Sequence, residues 1–373
     1  MNTPEFRSAC AAALQGAAAK VPQLSAFLGL DGFVDEIIAV VDERQDARQY
    51  SRIPTISALA ERIAAAAGRS TNVELVTTRT KLGGNGPIMA NALAAFGVRV
   101  TYLGALGYPT LHPVFDEFAR HAEVHTIADP GRTDALEFED GKLLFGKMFP
   151  LAEVTWANIE KHGKRPLVEQ HLGRASLVGF VNWTMLPYMS DIWEAMQKEI
   201  CPKLTGPKRW MFFDLADPEK RPVSERQRAL SLITSFQNHF ECILGLNEKE
   251  AFEVGEVLGL TGYSHSRADL QALTAAIRQK VPVNTIVVHP TRHALACSGA
   301  AVDDVDGPFV AKPLITTGAG DHFNSGFVLG KLLGLSNAQS LLCGVSTSGF
   351  YVRTGQSPAV ADIAGLMRDW PKA

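Results

Sequence analysis

Short, almost unbroken apolar runs alternate along this chain with longer stretches whose apolar residues recur every three to four positions. The runs at 24–30, 99–103, 175–181, 210–215, 240–244 and 285–289 suit strands buried on both faces. Helical spacing marks 5–20, 56–67, 187–199, 222–236, 247–258, 266–279 and 341–352. Strand and helix in turn predict a mostly parallel sheet covered on both sides. Residues 134–138 and 142–149 break the rhythm. They alternate in period two around Glu139-Asp140-Gly141, a hairpin signal that does not suit a central parallel strand.

The stretch richest in candidate chemistry runs from Leu314 to Gly330. Thr316-Thr317 and Gly318-Ala319-Gly320 lead into Asp321, and Phe323, Phe327, Val328, Leu332 and Leu333 follow at helical spacing. The glycines therefore form a bare first helical turn. Backbone N–H groups there lack intrahelical partners, and the helix dipole favours negative charge beside them. Small residues let a bulky anion come close. A carboxylate in the same turn makes sense if it acts on a group brought next to that anion. The plainer alternative is an ordinary helix start with an acidic residue.

The run Thr-Thr-Gly-Ala-Gly-Asp-x-Phe resembles the C-terminal signature of the ribokinase-like (PfkB) carbohydrate kinase family. The resemblance implies a three-layer α/β/α sandwich with a mostly parallel central sheet and a small β lid. It implies Asp321 as the catalytic base, Gly318, Ala319 and Gly320 as an anion hole, and Thr317 among the nucleotide contacts. Asp31 and Asp35 follow the first strand, where open α/β sheets bind ligands and two carboxylates would suit a polyol. A turn aspartate plus a solvated one is the alternative; the family places a substrate aspartate here, and Asp35 matches it better. Gly83-Gly84-Asn85, with Gly97 closing the next helix, resembles the family's N-terminal signature and implies contacts to substrate. Ile88 departs from it, since asparagine is usual there. Asn182, past another strand end, is either a substrate contact or a turn residue. Arg221, in Asp217-Pro-Glu-Lys-Arg221, matches a stretch of sugar and keto-sugar acid kinases or is a solvated helix-start arginine.

Asn247 and Glu250 stand three apart at a helix start. They form either a capping box or the family's Asn-x-x-Glu motif, which orders Mg²⁺ and its waters around the nucleotide phosphates. The small residues Cys343, Gly344 and Thr347 fall where the family has its adenine pocket, and equally suit tight helix packing. His289-Pro-Thr291 replaces a glycine-bearing nucleotide turn. Ile315 stands where relatives often carry an aspartate that helps hold a monovalent cation, which puts potassium activation in question. Gly326 to Lys331 hints at a Walker loop, but it is one residue short, lacks the Ser/Thr, and lies inside a helix.

Composition narrows the class. With 373 residues, 46% hydrophobic and 20% charged, the chain suits one large α/β domain with an appendage, or two domains. A net charge of −3 offers no basic footprint for nucleic acid. No apolar run is long enough to span a bilayer, and the alanine-rich start, with Glu5, Arg7 and Gln15, reads as an amphipathic helix rather than a secretory signal. Five scattered cysteines read as reduced core thiols in a cytoplasmic protein.

The expected organisation places a helix and the first core strand in 1–35, a β lid in 36–53 and 121–150, and the rest of the kinase core in 54–120 and 151–373. The expected function is ATP- and Mg²⁺-dependent phosphorylation of a hydroxyl on a sugar or sugar-like alcohol. A nucleoside kinase of the same fold, and a sugar- or nucleotide-binding relative without catalysis, are the alternatives. An exposed lid edge could pair two subunits.

Overall fold

The computed structural model describes residues 2–371. In chain order the strands are β1 Ser25–Leu30, β2 Phe33–Arg44, β3 Tyr50–Arg52, β4 Leu75–Gly83, β5 Arg99–Gly104, β6 Glu123–Thr126, β7 Gly131–Phe138, β8 Gly141–Lys147, β9 Leu177–Phe180, β10 Trp210–Asp214, β11 Glu241–Leu246, β12 Thr285–Val288, β13 His293–Cys297 and β14 Val302–Asp306. Nine of them form one sheet in the order β14-β13-β12-β11-β10-β9-β1-β5-β6. From β6 to β12 the pairing is parallel; β12, β13 and β14 pair antiparallel.

Successive residues of a strand face opposite sides of a sheet, which explains the unbroken apolar runs. Phe27, Val178, Phe213, Leu244 and Ile286 pack into the core on one side. Their neighbours Leu28, Leu177, Phe212, Ile243 and Val287 pack into the core on the other. Helices cover both, so a polar residue on either side of these strands would be buried. The chain is thus the three-layer α/β sandwich expected. All five cysteines are buried and free, and among the described residues no helix is long and apolar enough to cross a membrane.

Strand order reverses at β1, with β5 on one side and β9 on the other. In open α/β sheets the crevice at the carboxyl ends beside such a switch point binds ligands. Asp31, Asn182, Asp214, Asn247 and His289 all end or closely follow strands on this edge.

The remaining five strands form a second sheet. Its hub is β2, which pairs antiparallel with β3 and β4 and parallel with β7, while β7 pairs with β8. Ile38, Val40, Ile53 and Leu136 pack with Leu59 of the helix Ile56–Ala65 on one face. The other face carries Phe33, Asp35 and Thr133 to the large sheet's carboxyl edge. Two boundaries differ from expectation. Residues 75–83, assigned to the core, form β4 of the small sheet, because their backbone continues the β2 ladder from Phe33 to Val40. Residues 123–126, assigned to the lid, extend the large sheet beside β5.

Candidate active site

Asp321 sits in the first turn of the helix Ala319–Leu332, whose cap is Gly318. Gly318 has φ 88°, a left-handed conformation that costs other residues about 1–2 kcal/mol. A Cβ there would also lie 3.2 Å from both Ile88 Cγ2 and Tyr351 Oη. Ile88, where the family usually has asparagine, thus braces this turn. Among the described residues no protein acceptor meets the Gly318 or Gly320 N–H. Ala319 differs from expectation: its N–H donates to Thr316 O at 3.1 Å, closing the turn, so it is not free to meet an anion. Of the three amides expected to form an anion hole, only the two glycine amides lack a protein acceptor among the described residues.

Asn85 Nδ2 donates to Asp321 Oδ1 at 3.0 Å. The Asp321 carboxyl is buried and its pKa is pushed up to about 8, first by burial, then by the charges of Asp31 and Glu250, against the Asn85 hydrogen bond. Two cavities lie near Asp321, whose side chain lines neither. One, of about 370 Å³, is lined by Phe33, Asp35, Asn85, Thr133, Asn182 and Glu250, among others. The other, of about 410 Å³, includes Asn247, His289, Gly320, Phe323 and Val345 in its wall. Asn85 of the first cavity bonds Asp321, and Gly320 of the second precedes it.

In the first cavity, burial raises the Asp35 carboxyl pKa, while the Lys81 charge and a Thr133 hydrogen bond oppose the shift. A Cβ at Gly83 would fall 2.4 Å from that carboxylate and force it to shift. Asp31 is a correction. It is fully buried and does not line the cavity. Gly86 N and Asn182 Nδ2 donate to its carboxylate at 2.9 and 2.7 Å, and Tyr102 Oη donates to its backbone oxygen at 2.8 Å. Burial pushes its pKa up to about 6 against these bonds. Asp31 therefore orients the Asn85 turn and Asn182 instead of touching a ligand. Asn182 remains at the cavity with a buried Oδ1 that has no partner among the described residues.

The capping box at Asn247 and Glu250 is real. Glu250 N donates to Asn247 Oδ1, and Asn247 N to Glu250 Oε2, each at 2.9 Å. Glu250 Oε1 also accepts from Asp217 N at 2.9 Å. Capping does not remove the pair from the site, since Asn247 faces the second cavity and Glu250 the first. Asp214, absent from the sequence reading of the site, lies buried beside them; burial and the charges of Glu250 and Asp321 push its pKa well up. Its partner is Asn324 Nδ2 at 2.9 Å. Among the described residues none of Asp31, Asp214, Glu250 and Asp321 forms an ion pair with Lys, Arg or His. Of these four only Glu250 lines a cavity, so it is the carboxylate that a divalent cation arriving with a ligand would meet. The group of half-buried Asp217, exposed Glu219 and buried Glu253 suits one less, because Lys249 already pairs with all three.

The adenine wall also needs correction. Cys343 and Thr347 are fully buried, and a Cβ at Gly326 would lie 2.3 Å from Thr347 Oγ1 and 2.6 Å from Cys343 O. Gly344 packs equally close to Phe323. These small residues of the helix Asn337–Thr354 let it nest against the Asp321 helix. Its cavity-facing residues are instead Val345, Ser348, Gly349 and Val352. Thr317 does not line the cavity, and its carbonyl is taken by Tyr351. His289, which opens the stretch standing for the nucleotide turn, is a wall residue: its ring leans on Phe323, its buried Nε2 has no partner among the described residues, and burial pushes its pKa down to about 4. Arg221 is largely buried and lines neither of these two cavities. It lies over the Trp183 ring and donates to backbone oxygens between 183 and 187.

The family described as prokaryotic ketohexokinase has a model that matches residues 4–370. The chain is 29% identical over 337 residues to a ketohexokinase of Haloferax volcanii, covering 90% of this chain and 88% of that one. Among solved structures, a carbohydrate kinase from Agrobacterium tumefaciens superposes with TM-score 0.63 at 16% identity, over 92% of this chain and 97% of that one. Phosphofructokinase-2 from Escherichia coli, in complex with substrates and products, gives 0.63 at 14% identity, over 93% and 98%. Ribokinase from Thermotoga maritima gives 0.58 at 13%, over 92% and 99%. At these identities the structural likeness is one of fold.

Proposed function

This chain belongs to the prokaryotic ketohexokinase family, among the ribokinase-like (PfkB) carbohydrate kinases, and from that premise we propose that it transfers the terminal phosphoryl group of ATP to a hydroxyl of a ketohexose. The observation that carries this reading is the place of Asp321: it follows Gly320 of one cavity wall, is hydrogen-bonded to Asn85 of the other, and sits beside two glycine amides with no protein acceptor among the described residues.

The sugar lies in the cavity of Asp35, Asn85 and Asn182. Its acceptor hydroxyl meets the Asp321 carboxylate. As the hydroxyl oxygen bonds to phosphorus, the bond from phosphorus to the leaving diphosphate oxygen breaks, and the hydroxyl proton passes to Asp321. The Gly318 and Gly320 N–H groups face the charge on the transferring group. Such chemistry asks a protein mainly for positioning and charge stabilisation. Mg²⁺, when bound, spreads the phosphate charge, and Asn247 and Glu250 would hold its waters. Phe33, Asp35, Thr133 and Leu144 of the small sheet line the cavity, and over a bound sugar they would exclude water, which competes with the sugar for phosphoryl.

A nucleoside acceptor would be favoured by an aromatic ring free to stack on its base, and Trp183 offers none. Trp183 is fully buried, its Nε1 donates to Ser190 Oγ at 2.9 Å, and Arg221 covers its ring, so no base can stack on it. Carboxylate and amide groups in the first cavity suit a polyol better. For self-association, the outer strand β8 exposes Leu144 and Phe145 and is where a second copy would pair.

ADP release measured with ketohexoses, aldohexoses and nucleosides, with Asp321→Asn as the blank, tests the reading. A ketohexose should give the fastest turnover. Asp35→Ala should raise its KM roughly 10–100-fold, the scale of one charge-assisted hydrogen bond, with little change in KM for ATP. Turnover with nucleosides alone would overturn the sugar assignment, and no release above the blank would overturn the kinase assignment.

A further inference from the structure

His322 and Tyr351 had no role in the sequence reading, yet the structure locks them together under the Gly318 turn. Their rings stack at 3.6 Å between centroids and 12° between planes. Tyr351 Oη donates to Thr317 O at 2.9 Å. His322 Nδ1 lies 2.7 Å from Gly318 O, and Nε2 lies 2.9 Å from Ser357 Oγ. A carbonyl only accepts, so Nδ1 carries the proton and Nε2 accepts from the Ser357 hydroxyl. Burial pushes the imidazole pKa down to about 4, so this neutral form persists across the working pH range. Two consecutive carbonyls of the turn are thus held by side chains.

A trans peptide points its C=O and N–H in opposite directions. The grip on Thr317 O therefore fixes the Gly318 N–H, which has no protein acceptor among the described residues. We infer that Tyr351 and His322 are positioning residues that aim the Gly318 N–H at the transferring phosphoryl group, an inference that rests on the kinase reading of this turn. The turn need not then wait for its ligand to order it. A preorganised donor gains its catalytic worth by needing no rearrangement as charge develops.

Tyr351→Phe tests this, because it keeps the ring stack and removes one O–H. The expected result is a kcat about tenfold lower, less than the roughly 10²–10³ lost with a direct anion-hole donor. The sugar KM and the melting temperature should stay near wild type. His322→Gln, which keeps a donor for Gly318 O but loses the stack, should fall between Tyr351→Phe and wild type in kcat. An unchanged kcat in Tyr351→Phe would overturn the inference while leaving the kinase reading intact, provided Asp321→Asn is inactive in the same assay. A lower melting temperature with sugar KM raised in parallel would also overturn it, as the mark of a general structural role. Activity surviving in Asp321→Asn would instead sink the underlying assignment of the base.

Discussion

Replacing Asp321 by asparagine is expected to lower turnover by a factor of about 10²–10⁴, the usual worth of a positioned base, while ATP still binds. Asparagine keeps an oxygen for the Asn85 amide and nearly the same shape, so the turn should survive. What it cannot do is take the hydroxyl proton. The pH dependence follows from the carboxyl pKa of about 8. The base works deprotonated, so wild-type kcat/KM should climb from pH 6 toward pH 8 and level off above, and the variant should lose that limb. Stability should move the other way. A folded pKa raised above the ordinary 3.8 stabilises the fold fully only below that value, and the benefit disappears as pH rises through about 8. Above that, wild type holds a buried charge that asparagine does not. Asp321→Asn should therefore melt higher than wild type at pH 9, by calorimetry, while being far less active. Lower activity with lower stability at that pH would point to a structural carboxylate.

Glu250→Gln carries the second large effect. Both Glu250 oxygens accept backbone N–H groups, from Asp217 and Asn247. A glutamine places an NH₂ against one of them, losing a bond and leaving a donor facing a donor. A buried unsatisfied group costs about 1–3 kcal/mol, which a melting curve would show. If the pair also orders the waters of Mg²⁺, activity should drop roughly 10–100-fold, the range for groups behind a metal's own ligands. The Mg²⁺ concentration for half-maximal rate should rise, with sugar KM unmoved. A melting loss with an unchanged Mg²⁺ dependence would make the pair a helix cap only.

These two residues were legible in the sequence because each combines a local rule with a local consequence. Gly-x-Gly-Asp ahead of an apolar helix specifies a bare N-terminus, and Asn-x-x-Glu specifies a cap whatever else it does. The large sheet was legible because strands buried on both faces leave unbroken apolar runs. Strand β4 left no such trace: Thr77, Arg79 and Lys81 alternate with Val76, Thr78, Thr80 and Leu82, so no apolar face marks the run. The β13–β14 hairpin was missed for a related reason, its second strand being Val-Asp-Asp-Val-Asp at a sheet edge. Small residues at 343, 344 and 347 announced close packing without saying against what, and the partner proved to be a helix. The resemblance favoured Asp35 over Asp31 without giving Asp31 another task; only the fold closes Tyr102, Gly86 and Asn182 around it. The His322–Tyr351 stack joins residues 29 positions apart and has no sequence signature.

The most direct measurement is a crystal structure with a ketohexose, Mg²⁺ and a non-hydrolysable ATP analogue. The acceptor oxygen should lie within hydrogen-bond reach of an Asp321 carboxylate oxygen, about 2.6–3.2 Å, with the terminal phosphate on the Gly318 and Gly320 N–H groups. A sugar whose hydroxyls all avoid Asp321, or a terminal phosphate bound away from those two amides, would contradict the account.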